Sequence, residues 1–346
     1  MRIAHIIWAL GTGGAETMLV DIVNAQVESE TVALYIINDY IEKSLLRKVD
    51  SRCMVQLIGR KPGSRSLLPW AKLNISLIRY RPNIIHFHLE GIRRQVFTSV
   101  PTVFTIHNIW TSGKEYPKYQ ALFAISDGVK NHTKEQGFEA ITVWNGIRTK
   151  DILFTSKDSY HPGRTCRIIC VGRLFTQHKG QDILVDALGV MYNQGISNFQ
   201  LDLIGDGESR DELEKQVKKL GLEDRVTFLG QRDRSYIYEH LCEYDLFVLP
   251  SRSEGFGLTV AEAMCAKVPV IVCDLEGALD VIDGGRLGRQ FKTGDVQSLA
   301  EQIMAFMNEG AEGGQVQEAR QFAIDNFDIR RTALRYIEEY KNIIES

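Results

Sequence analysis

Two glutamates in one short stretch, SRSEGFGLTVAEAM at residues 251–264, are the strongest candidates for chemistry in this sequence. Glu254 precedes a Gly-Phe-Gly turn, and Glu262 lies about one turn into a helix that we expect to begin near Leu258. Because Cα–Cβ bonds tilt toward the N-terminus of a helix, Glu262 can point back to the mouth where Glu254 lies. We therefore predict that both carboxylates face one pocket and accept hydrogen bonds from neutral hydroxyl groups.

Hydrogen-bond donors are predicted at the same place. The first N–H groups of a helix have no intrahelical partner, so those of Gly257, Leu258 and Thr259 can bind phosphate oxygens. Carboxylates beside a diphosphate would repel it, so Glu254 and Glu262 are assigned to hydroxyl groups, such as those of a ribose and a hexose. The predicted ligand is a nucleoside-diphosphate sugar.

Two cations precede this stretch in VGRLFTQHKGQDILVDAL. Arg173 follows a predicted strand, and Lys179 is expected in the first turn of the next helix, where it would oppose the helix macrodipole unless an anion binds there too. Arginine can bond two phosphate oxygens at once and lysine acts as a mobile point charge, which suits a diphosphate. The alternative is that both are ordinary solvated surface cations.

Glycine turns follow two other predicted strands. Gly13 and Gly14 precede a helix in GTGGAETMLVDIV, where they could let backbone N–H groups approach a phosphate or form a plain structural turn. The dinucleotide fingerprint Gly-x-Gly-x-x-Gly is not met, because Glu16 occupies the third glycine position. In LIGDGESRDELEKQV, Gly205 and Gly207 allow the backbone to approach a ligand closely.

Histidines end two further predicted strands. NIIHFHL carries His86 and His88 on one face. As a metal pair they lack a third ligand within sequence reach, so no metal site is predicted. TVFTIHN places His107 at the end of the next strand, where a lone histidine is more often a structural residue.

Strands alternate with helices along the chain, which predicts an α/β fold. Apolar runs lie near 2–8, 31–38, 83–88, 101–106 and 121–125, and the pattern resumes with RIICVG, LDLIG, VTFLG, YDLFVLP and VPVIVC. Such runs, separated by helix-length segments, are typical of parallel sheets covered by helices. The polar stretch TSKDSYHPGRT at 155–165 is interpreted as a linker. We predict two Rossmann-like, doubly wound domains facing a cleft.

Composition agrees with this prediction. The chain of 346 residues is 44% hydrophobic with a net charge of −3, as expected for a globular protein of two domains. Its six cysteines form no Cys-x-x-Cys pair, and no run of roughly 18 uncharged apolar residues predicts a membrane span. The apolar opening MRIAHIIWALG, interrupted by His5, is interpreted as a strand rather than a signal peptide. We expect a cytoplasmic protein with no nucleic-acid partner.

Together these motifs resemble the family 4 retaining glycosyltransferases (glycosyl transferases group 1) of bacterial surface-polysaccharide type, which have the GT-B fold. The likeness covers most of the chain and is strongest over 167–291, where VGRL with KG, PSRSEGFGLTVAEAM and PVIVCD look like that family's donor-binding region. It implies that Arg173 and Lys179 grip the donor diphosphate. It also implies that Glu262 holds the ribose and that Glu254 contacts hydroxyls of the transferred sugar.

The first domain carries further resemblances. GGAE looks like the family's glycine loop near the donor phosphate and acceptor, and TIHN looks like the segment whose histidine, here His107, faces the sugar's primary hydroxyl. Asn145 and Gly146 in VWNGI match landmarks that we interpret as architectural. The closing FDIRRTALRYIEEYKNII is an amphipathic helix that, in this fold, crosses back onto the first domain.

The predicted site combines these groups. Catalytic roles are assigned to Arg173, Lys179, Glu254 and His107, and donor binding to Gly13, Gly14, Gly205, Gly230, Gln231, Phe256, Gly257, Leu258, Thr259 and Glu262. Residues 1–157 are predicted to form the acceptor-binding domain, 158–328 the nucleotide-sugar-binding domain and 329–346 the returning helix. No cofactor is expected. The base of the donor is expected to be held by backbone groups around Gly230 and Gln231, and UDP is favoured over GDP.

Two departures from the family pattern stand out. Lys267 occupies the position where the family usually ends the EAM helix with a glycine, which costs roughly 1 kcal/mol if the residue is left-handed. DLEGALDVIDGG matches the family's glycine-rich turn imperfectly, which leaves the roles of Glu276, Gly277 and Asp280 open.

The sequence contains no Asp-x-Asp, the usual site for a divalent ion on the donor diphosphate. We therefore expect metal-independent transfer, in which Arg173, Lys179 and the helix N-terminus at 257–259 stabilise the leaving diphosphate. The resemblance implies attack on the same face of the sugar, with a donor phosphate oxygen taking the acceptor's proton. Glu254 would then orient the sugar rather than form a covalent bond, as a carboxylate does in many hydrolases.

The acceptor is suggested by a basic segment. From Arg60 to Arg94 there are eight cations and one acid, a net charge of +7, with Leu67, Leu68 and Trp70 among them. Such a segment can rest on an anionic membrane, where each cation adds about 1 kcal/mol, or it can be an ordinary solvated helix face. The first interpretation predicts a peripheral membrane protein acting on a glycan or lipid-linked acceptor in capsule, lipopolysaccharide or exopolysaccharide biosynthesis.

Three other functions use similar parts. An NAD-dependent oxidoreductase is disfavoured by the failed fingerprint and the paired glutamates. A sugar-nucleotide epimerase on the same fold would need no second substrate, and EGFGLTVAEA favours transfer. A non-catalytic sugar-binding protein would hinge in the same way, but the sequence shows no export signal.

Overall fold

The computed structural model describes residues 1–11, 13–154, 160–311 and 313–345. The chain divides into two compact units, the first formed by Met1–Ile147 with Asp328–Ser346 and the second by Arg148–Phe327. The sequence placed this boundary further along, at 157–158. Residues 155–159 of the predicted linker lie outside the described residues.

The first unit contains a seven-stranded parallel sheet. Its strands are β1 (Arg2–Ile7), β2 (Thr31–Asn38), β3 (Met54–Arg60), β4 (Ile84–Phe87), β5 (Thr102–Ile106), β6 (Ala121–Ala124) and β7 (Ile141–Thr142), and its α-helices are α1 (Gly14–Gln26), α2 (Lys43–Leu46), α3 (Leu68–Tyr80), α4 (Asp127–Glu135) and, at the C-terminus, α13 (Ile329–Glu345). The strand order β3-β2-β1-β4-β5-β6-β7 runs outward in both directions from β1, so the sheet is doubly wound.

The second unit contains a six-stranded parallel sheet. Its strands are β8 (Cys166–Val171), β9 (Phe199–Ile204), β10 (Val226–Gly230), β11 (Leu246–Leu249), β12 (Val270–Cys273) and β13 (Arg289–Phe291), and its α-helices are α5 (Thr176–Lys179), α6 (Gln181–Asn193), α7 (Arg210–Lys219), α8 (Arg234–His240), α9 (Leu258–Cys265), α10 (Glu276–Val281), α11 (Val296–Glu309) and α12 (Gly313–Phe327). The strand order β10-β9-β8-β11-β12-β13 repeats the winding of the first sheet. The predicted fold class, two doubly wound parallel-sheet domains, is confirmed.

The central strands form because most of their side chains are apolar and both faces of each strand are covered. Every residue of β4, β5, β11 and β12 is buried, as expected for parallel strands covered by helices on both sides. The apolar runs in the sequence mark these strands to within about two residues. The edge strands β3, β7 and β13 were not predicted. In β3, Met54 and Leu57 are exposed, so no continuous apolar run marks this strand.

The C-terminal helix α13 packs on the first unit, as predicted. Ile329 N donates to Ile147 O at 2.9 Å, and Thr332 Oγ1 donates to Trp144 O at 3.0 Å. Gly146 lies directly beneath this helix, because a Cβ at Gly146 would come within 2.7 Å of the Cα of Ile329. The close approach gives Gly146 an architectural role. Within the described parts of the chain, no helix is both long and apolar enough to cross a bilayer.

Candidate functional site

The second unit presents the N-terminus of α9 after the buried strand β11. The helix begins at Leu258, where the sequence placed it. Gly257 precedes it with a left-handed backbone (φ 98°), a conformation that glycine adopts without strain. The carbonyl of Gly257 accepts the first helical bond, from Val260 N at 2.9 Å. The N–H groups of Leu258 and Thr259 therefore occupy the first turn, where a helix binds anions.

Glu254 forms an ion pair with Lys179. The Lys179 Nζ lies 2.8 Å from Glu254 Oε2, and the Ser251 hydroxyl donates to the same oxygen at 3.3 Å. Burial lowers the pKa of Lys179, but the adjacent Glu254 carboxylate outweighs burial and leaves the pKa above its ordinary value. Lys179 is therefore a cation. The structure brings together two of the predicted catalytic residues.

Lys179 is not in the first turn of a helix, as the sequence suggested. It is the last residue of α5, and Gly180 separates it from α6 with a left-handed backbone (φ 64°). A Cβ at Gly180 would lie 2.0 Å from Pro250 O, so this turn presses against the loop that carries Glu254. The prediction from the helix macrodipole is therefore wrong, because the charge that balances Lys179 is Glu254.

Glu262 is paired with an arginine that the sequence analysis missed. Arg234 Nε and Nη2 donate to Glu262 Oε1 at 3.0 and 2.9 Å, and the two side chains are only 12% and 4% exposed. The Tyr238 hydroxyl lies 3.4 Å from the same oxygen. Arg234 is the first residue of α8, directly after its N-cap Asp233. The sequence analysis selected Lys179 as a cation expected at the start of a helix. The same criterion would have selected Arg234.

Arg173 lies at the surface. Its Nη2 is 3.0 Å from Glu208 Oε2, and both side chains are exposed. Exposed pairs of this kind contribute little to stability, so the arginine can exchange this partner for another anion at small cost.

The glycines of the predicted donor site are required by the packing of the chain itself. A Cβ at Gly205 would lie 1.9 Å from Gly172 O, and one at Gly207 would lie 2.4 Å from Leu174 O. Gly205 N donates to Gly230 O at 2.9 Å. These contacts account for the glycines without a ligand. The donor-binding roles of Gly205, Gly230 and the exposed Gln231 remain predictions.

The side chain of Phe256 belongs to the core of the second unit. It is buried, and its ring meets that of Phe327 edge to face with centroids 5.2 Å apart. A donor would therefore meet its backbone rather than its ring, and the donor-binding role of Phe256 remains a prediction. Gly277, whose role was open, has a packing role, because a Cβ there would lie 2.6 Å from Gly255 O.

In the first unit, Gly13 caps α1 and Gly14 begins it. A Cβ at Gly13 would lie 2.3 Å from Glu16 Oε2, so the glycine leaves room for this carboxylate at the helix N-terminus. Thr12, in the same loop, lies outside the described residues. The predicted phosphate-binding roles of Gly13 and Gly14 remain predictions.

His107 follows β5 and lies at the edge of a histidine cluster. His5, His86 and His88 each bring one ring nitrogen within 4.8 Å of the others. His5 is the third member that the sequence analysis could not find, because β1 and β4 pair only in the folded sheet and place His5 beside His86. His107 Nε2 lies 3.4 Å from His88 Nδ1.

Hydrogen bonds already occupy this cluster. His86 bonds through its two ring nitrogens to the hydroxyls of Tyr340 and Thr105 at 2.6 and 2.7 Å. His5 Nδ1 and His88 Nε2 face each other at 2.9 Å. A metal ion would have to replace these bonds. The prediction that the protein binds no metal here stays a prediction.

Burial keeps the histidines neutral. It lowers the pKa of His5 and of His107 to about 4. It lowers the pKa of His86 and of His88 well below its ordinary value, and the neighbouring imidazoles add to the effect. At neutral pH these histidines are therefore uncharged and interact with one another through hydrogen bonds.

Comparison with known proteins agrees with this architecture. The profile described as Glycosyltransferase Family 4 matches residues 12–151, and that described as Glycosyl transferases group 1 matches residues 152–323. The lipopolysaccharide 1,6-galactosyltransferase of Escherichia coli is 24% identical over 323 residues, 86% of each chain. An uncharacterised 41.2 kDa protein in the cps region of Klebsiella pneumoniae is 30% identical over 269 residues, 76% of this chain and 70% of that one.

A solved structure shares the fold. Anabaena HepE in complex with UDP and glucose superimposes with a TM-score of 0.79 at 21% identity, covering 99% of this chain and 100% of that one. The two parallel-sheet units thus define a protein of the GT-B class. The chain belongs to the family 4 glycosyltransferases. The predicted family and enzyme class are confirmed.

Proposed function

We propose that this glycosyltransferase moves a sugar, with retention and without a metal ion, from a nucleoside-diphosphate sugar to a glycan or lipid-linked acceptor. UDP is the favoured nucleotide. The observation that carries the proposal is that two glutamates form ion pairs, Glu254 with Lys179 and Glu262 with Arg234. In the sequence these glutamates lie on either side of the first residue of α9.

This arrangement suits a nucleotide sugar. Lys179 can leave Glu254 for a phosphate oxygen, while the first-turn N–H groups of α9 bind others. Glu254 is then released to accept hydrogen bonds from sugar hydroxyls. Arg234 neutralises Glu262, so this carboxylate can receive a ribose diol without bringing an uncompensated charge near the diphosphate.

The reaction step asks the protein to stabilise charge on the departing diphosphate. Lys179, Arg173 and the N-terminus of α9 supply preorganised positive potential for this purpose. The acceptor hydroxyl attacks the anomeric carbon from the face that the diphosphate leaves, its proton passes to a phosphate oxygen of the donor, and the bond between the sugar and the diphosphate breaks.

A thermal-shift screen with EDTA tests the donor. UDP, GDP, ADP and NAD are added to the purified enzyme, and one present at a hundred times its dissociation constant adds about 2.7 kcal/mol of stability. We expect UDP to raise the melting temperature of the wild type but not of Glu262→Gln, which keeps the size of the side chain. Glu309→Gln, an exposed acid on α11, is the matched control and should respond like the wild type.

Two results would contradict this proposal. A rise with NAD alone would point to a different enzyme class, and an unchanged response of Glu262→Gln to UDP would remove Glu262 from the nucleotide site. Once the donor is known, NMR of the product reports whether the anomeric configuration is retained, and turnover in EDTA should equal turnover without it.

We also propose that α3 rests on an anionic membrane. Its residues Leu68, Ala71, Ile75 and Ile78 recur at helical spacing and are exposed, whereas Leu73 and Leu77 on the other side are buried. Leu68 and Ile78 are 79% and 69% exposed. An apolar face of this kind in water has the form of an interfacial helix.

Fewer of the cations around this face are free to meet lipid headgroups than the sequence suggested. Half of the eight cations have partners inside the first unit, namely Arg60, Lys72, Arg93 and Arg94. The other four, Lys61, Arg65, Arg79 and Arg81, are exposed. Arg79 lies one turn after Ile75 on α3, so it can reach anionic headgroups while the apolar face enters the interface.

Vesicle co-sedimentation tests this contact. We expect the wild type to bind vesicles containing phosphatidylglycerol more tightly than vesicles of phosphatidylcholine alone. The double variant Ile75→Ser, Ile78→Ser should lose about tenfold or more in binding, because it removes two apolar side chains that enter the membrane interface. Leu334→Ser, an exposed leucine on α13, is the control. Equal binding to both vesicles, or equal binding by the double variant, would rule the contact out.

A further inference from the structure

A chain of hydrogen bonds runs through the core of the first unit from Gln26 to His107. Gln26 Oε1 lies 2.7 Å from His5 Nε2, and His5 Nδ1 lies 2.9 Å from His88 Nε2. His88 Nδ1 lies 3.4 Å from His107 Nε2. Gln26, His5 and His88 are fully buried, so water does not compete for these bonds, and His107 is the half-buried end of the chain.

Proton positions along this chain depend on one another. A neutral imidazole carries one N–H, so one ring nitrogen donates and the other accepts. The carbonyl oxygen of Gln26 can only accept, so His5 donates through Nε2 and accepts through Nδ1. His88 must then donate to His5 through Nε2, and His107 must donate to His88 through Nε2. The Nδ1 of His107 carries no proton.

The surroundings keep the chain neutral. Burial lowers the pKa of His5 and of His107 to about 4 and that of His88 well below its ordinary value. The other titratable groups against the chain are His86, Tyr336 and Tyr340. Burial also lowers the pKa of His86 and raises the pKa of the two phenols, so all three are neutral.

We infer that Gln26, His5 and His88 are positioning residues that fix His107 as its Nε2–H tautomer, so that its Nδ1 can only accept a hydrogen bond. A group that meets Nδ1 must therefore carry a hydrogen-bond donor, such as a hydroxyl, since a partner without one would leave the acceptor unpaired.

Nitrogen NMR of the ligand-free enzyme with ¹⁵N-labelled histidine tests the inference independently of any donor. Long-range proton–nitrogen correlations identify which ring nitrogen carries the proton, and a His107→Asn variant assigns the resonances. At neutral pH we expect His5, His88 and His107 each to be a single tautomer with the proton on Nε2.

Gln26→Leu removes the acceptor that sets the direction of the chain. We expect the Nδ1–H tautomer to gain population at His5, His88 and His107 together, whereas Gln56→Leu, on the edge strand β3, should leave all three unchanged. A wild-type His107 protonated on Nδ1 would overturn the inference, as would a Gln26→Leu response confined to His5. If these tautomers are found but no nucleotide binds, the proposed function fails and the chain stands.

Discussion

At the scale of single residues, the site of the second unit is neutralised before any ligand arrives. Lys179 is held by Glu254 and Arg234 by Glu262. Partly buried charges without partners are costly, so a site that must be stable when empty needs such pairs. Under the proposed function, a diphosphate that binds Lys179 would displace Glu254, and the net free energy of binding would be smaller than that of the phosphate contact alone.

This exchange of partners predicts that two substitutions affect the binding of UDP differently. Lys179→Met removes a charge-assisted bond worth about 2 kcal/mol, so UDP should bind roughly thirtyfold more weakly. Glu254→Gln frees Lys179 from its partner, so UDP, which has no sugar for Glu254 to hold, should bind as tightly as before or more tightly. Isothermal titration measures both.

Lys179→Arg is the control for the first variant, because it keeps the charge. A similar loss of UDP affinity in Lys179→Met and Glu254→Gln would show that the carboxylate assists nucleotide binding directly, and the exchange of partners would be wrong.

Lys267 is a strained residue whose cost can be measured. Its backbone is left-handed (φ 61°), as the family's glycine at this position implied. Its Nζ lies 5.3 Å from the ring centroid of Phe154, a contact that offsets part of the strain by about 0.5 kcal/mol. Lys267→Gly should therefore stabilise the protein by about 0.5 kcal/mol, and by about 1 kcal/mol in a Phe154→Ala background.

Urea unfolding of the four proteins in this cycle measures the difference. A loss of stability in both backgrounds would mean that the lysine contributes more than its strain costs, through contacts other than Phe154.

At the scale of elements, the sequence predicts those helices and strands whose signal lies in neighbouring residues. The buried strands and the start of α9 at Leu258 follow from apolar runs and from the Gly-Phe-Gly turn. The edge strands β3, β7 and β13 escaped because an edge strand needs no continuous apolar run. α5 was not predicted because a helix of four residues is too short to show a hydrophobic periodicity. Lys179 was therefore assigned to the wrong helix.

Partners of the site residues depend on tertiary structure and could not be predicted. Arg234 reaches Glu262 from a helix that precedes it by 28 residues, and His5 meets His88 across 83 residues of sequence. Neither separation corresponds to a helix or strand repeat, so neither contact can be recognised from the sequence. Glu254, Glu262 and Lys179 were identified from the sequence but Arg234 was not, and the assignment of each cation to its carboxylate required the fold.

The contact of α13 with Gly146 predicts a sensitive position. Gly146→Ala would place a methyl group 2.7 Å from the Cα of Ile329, and backbone at that position cannot rotate away. We expect a loss of about 2 kcal/mol in the stability of the first unit. Gly314→Ala is the control, because a Cβ there meets no atom within 4 Å and alanine favours the helix α12.

Circular dichroism during urea unfolding compares the two alanine variants. If Gly146→Ala unfolds like the wild type, α13 can shift away from Gly146 at little cost, and the architectural role of Gly146 is wrong.

At the scale of the whole molecule, the two units can be followed separately. The four tryptophans, Trp8, Trp70, Trp110 and Trp144, all belong to the first unit. Tryptophan fluorescence therefore reports the unfolding of the unit that contains the histidine cluster, without a signal from the other sheet.

The histidine cluster makes the first unit sensitive to acid. Unfolded histidines bind protons below about pH 6.5, whereas folded His5 and His107 stay neutral to about pH 4. Burial also lowers the pKa of His86 and of His88 well below its ordinary value. Between pH 6.5 and 4 the unfolded state holds more protons, so stability is complete above this window and falls as the pH falls through it. Each histidine contributes up to about 1.4 kcal/mol per pH unit.

Urea unfolding followed by tryptophan fluorescence at pH 5, 6, 7 and 8 measures this slope. His5→Gln should lower the slope between pH 5 and 6 by about 1.4 kcal/mol per pH unit, whatever it does to stability at pH 8. A first unit equally stable at pH 5 and pH 7 would mean that the cluster takes up protons when folded. His107 would then be a cation at low pH and a hydrogen-bond donor through both nitrogens, rather than the acceptor that the chain from Gln26 requires.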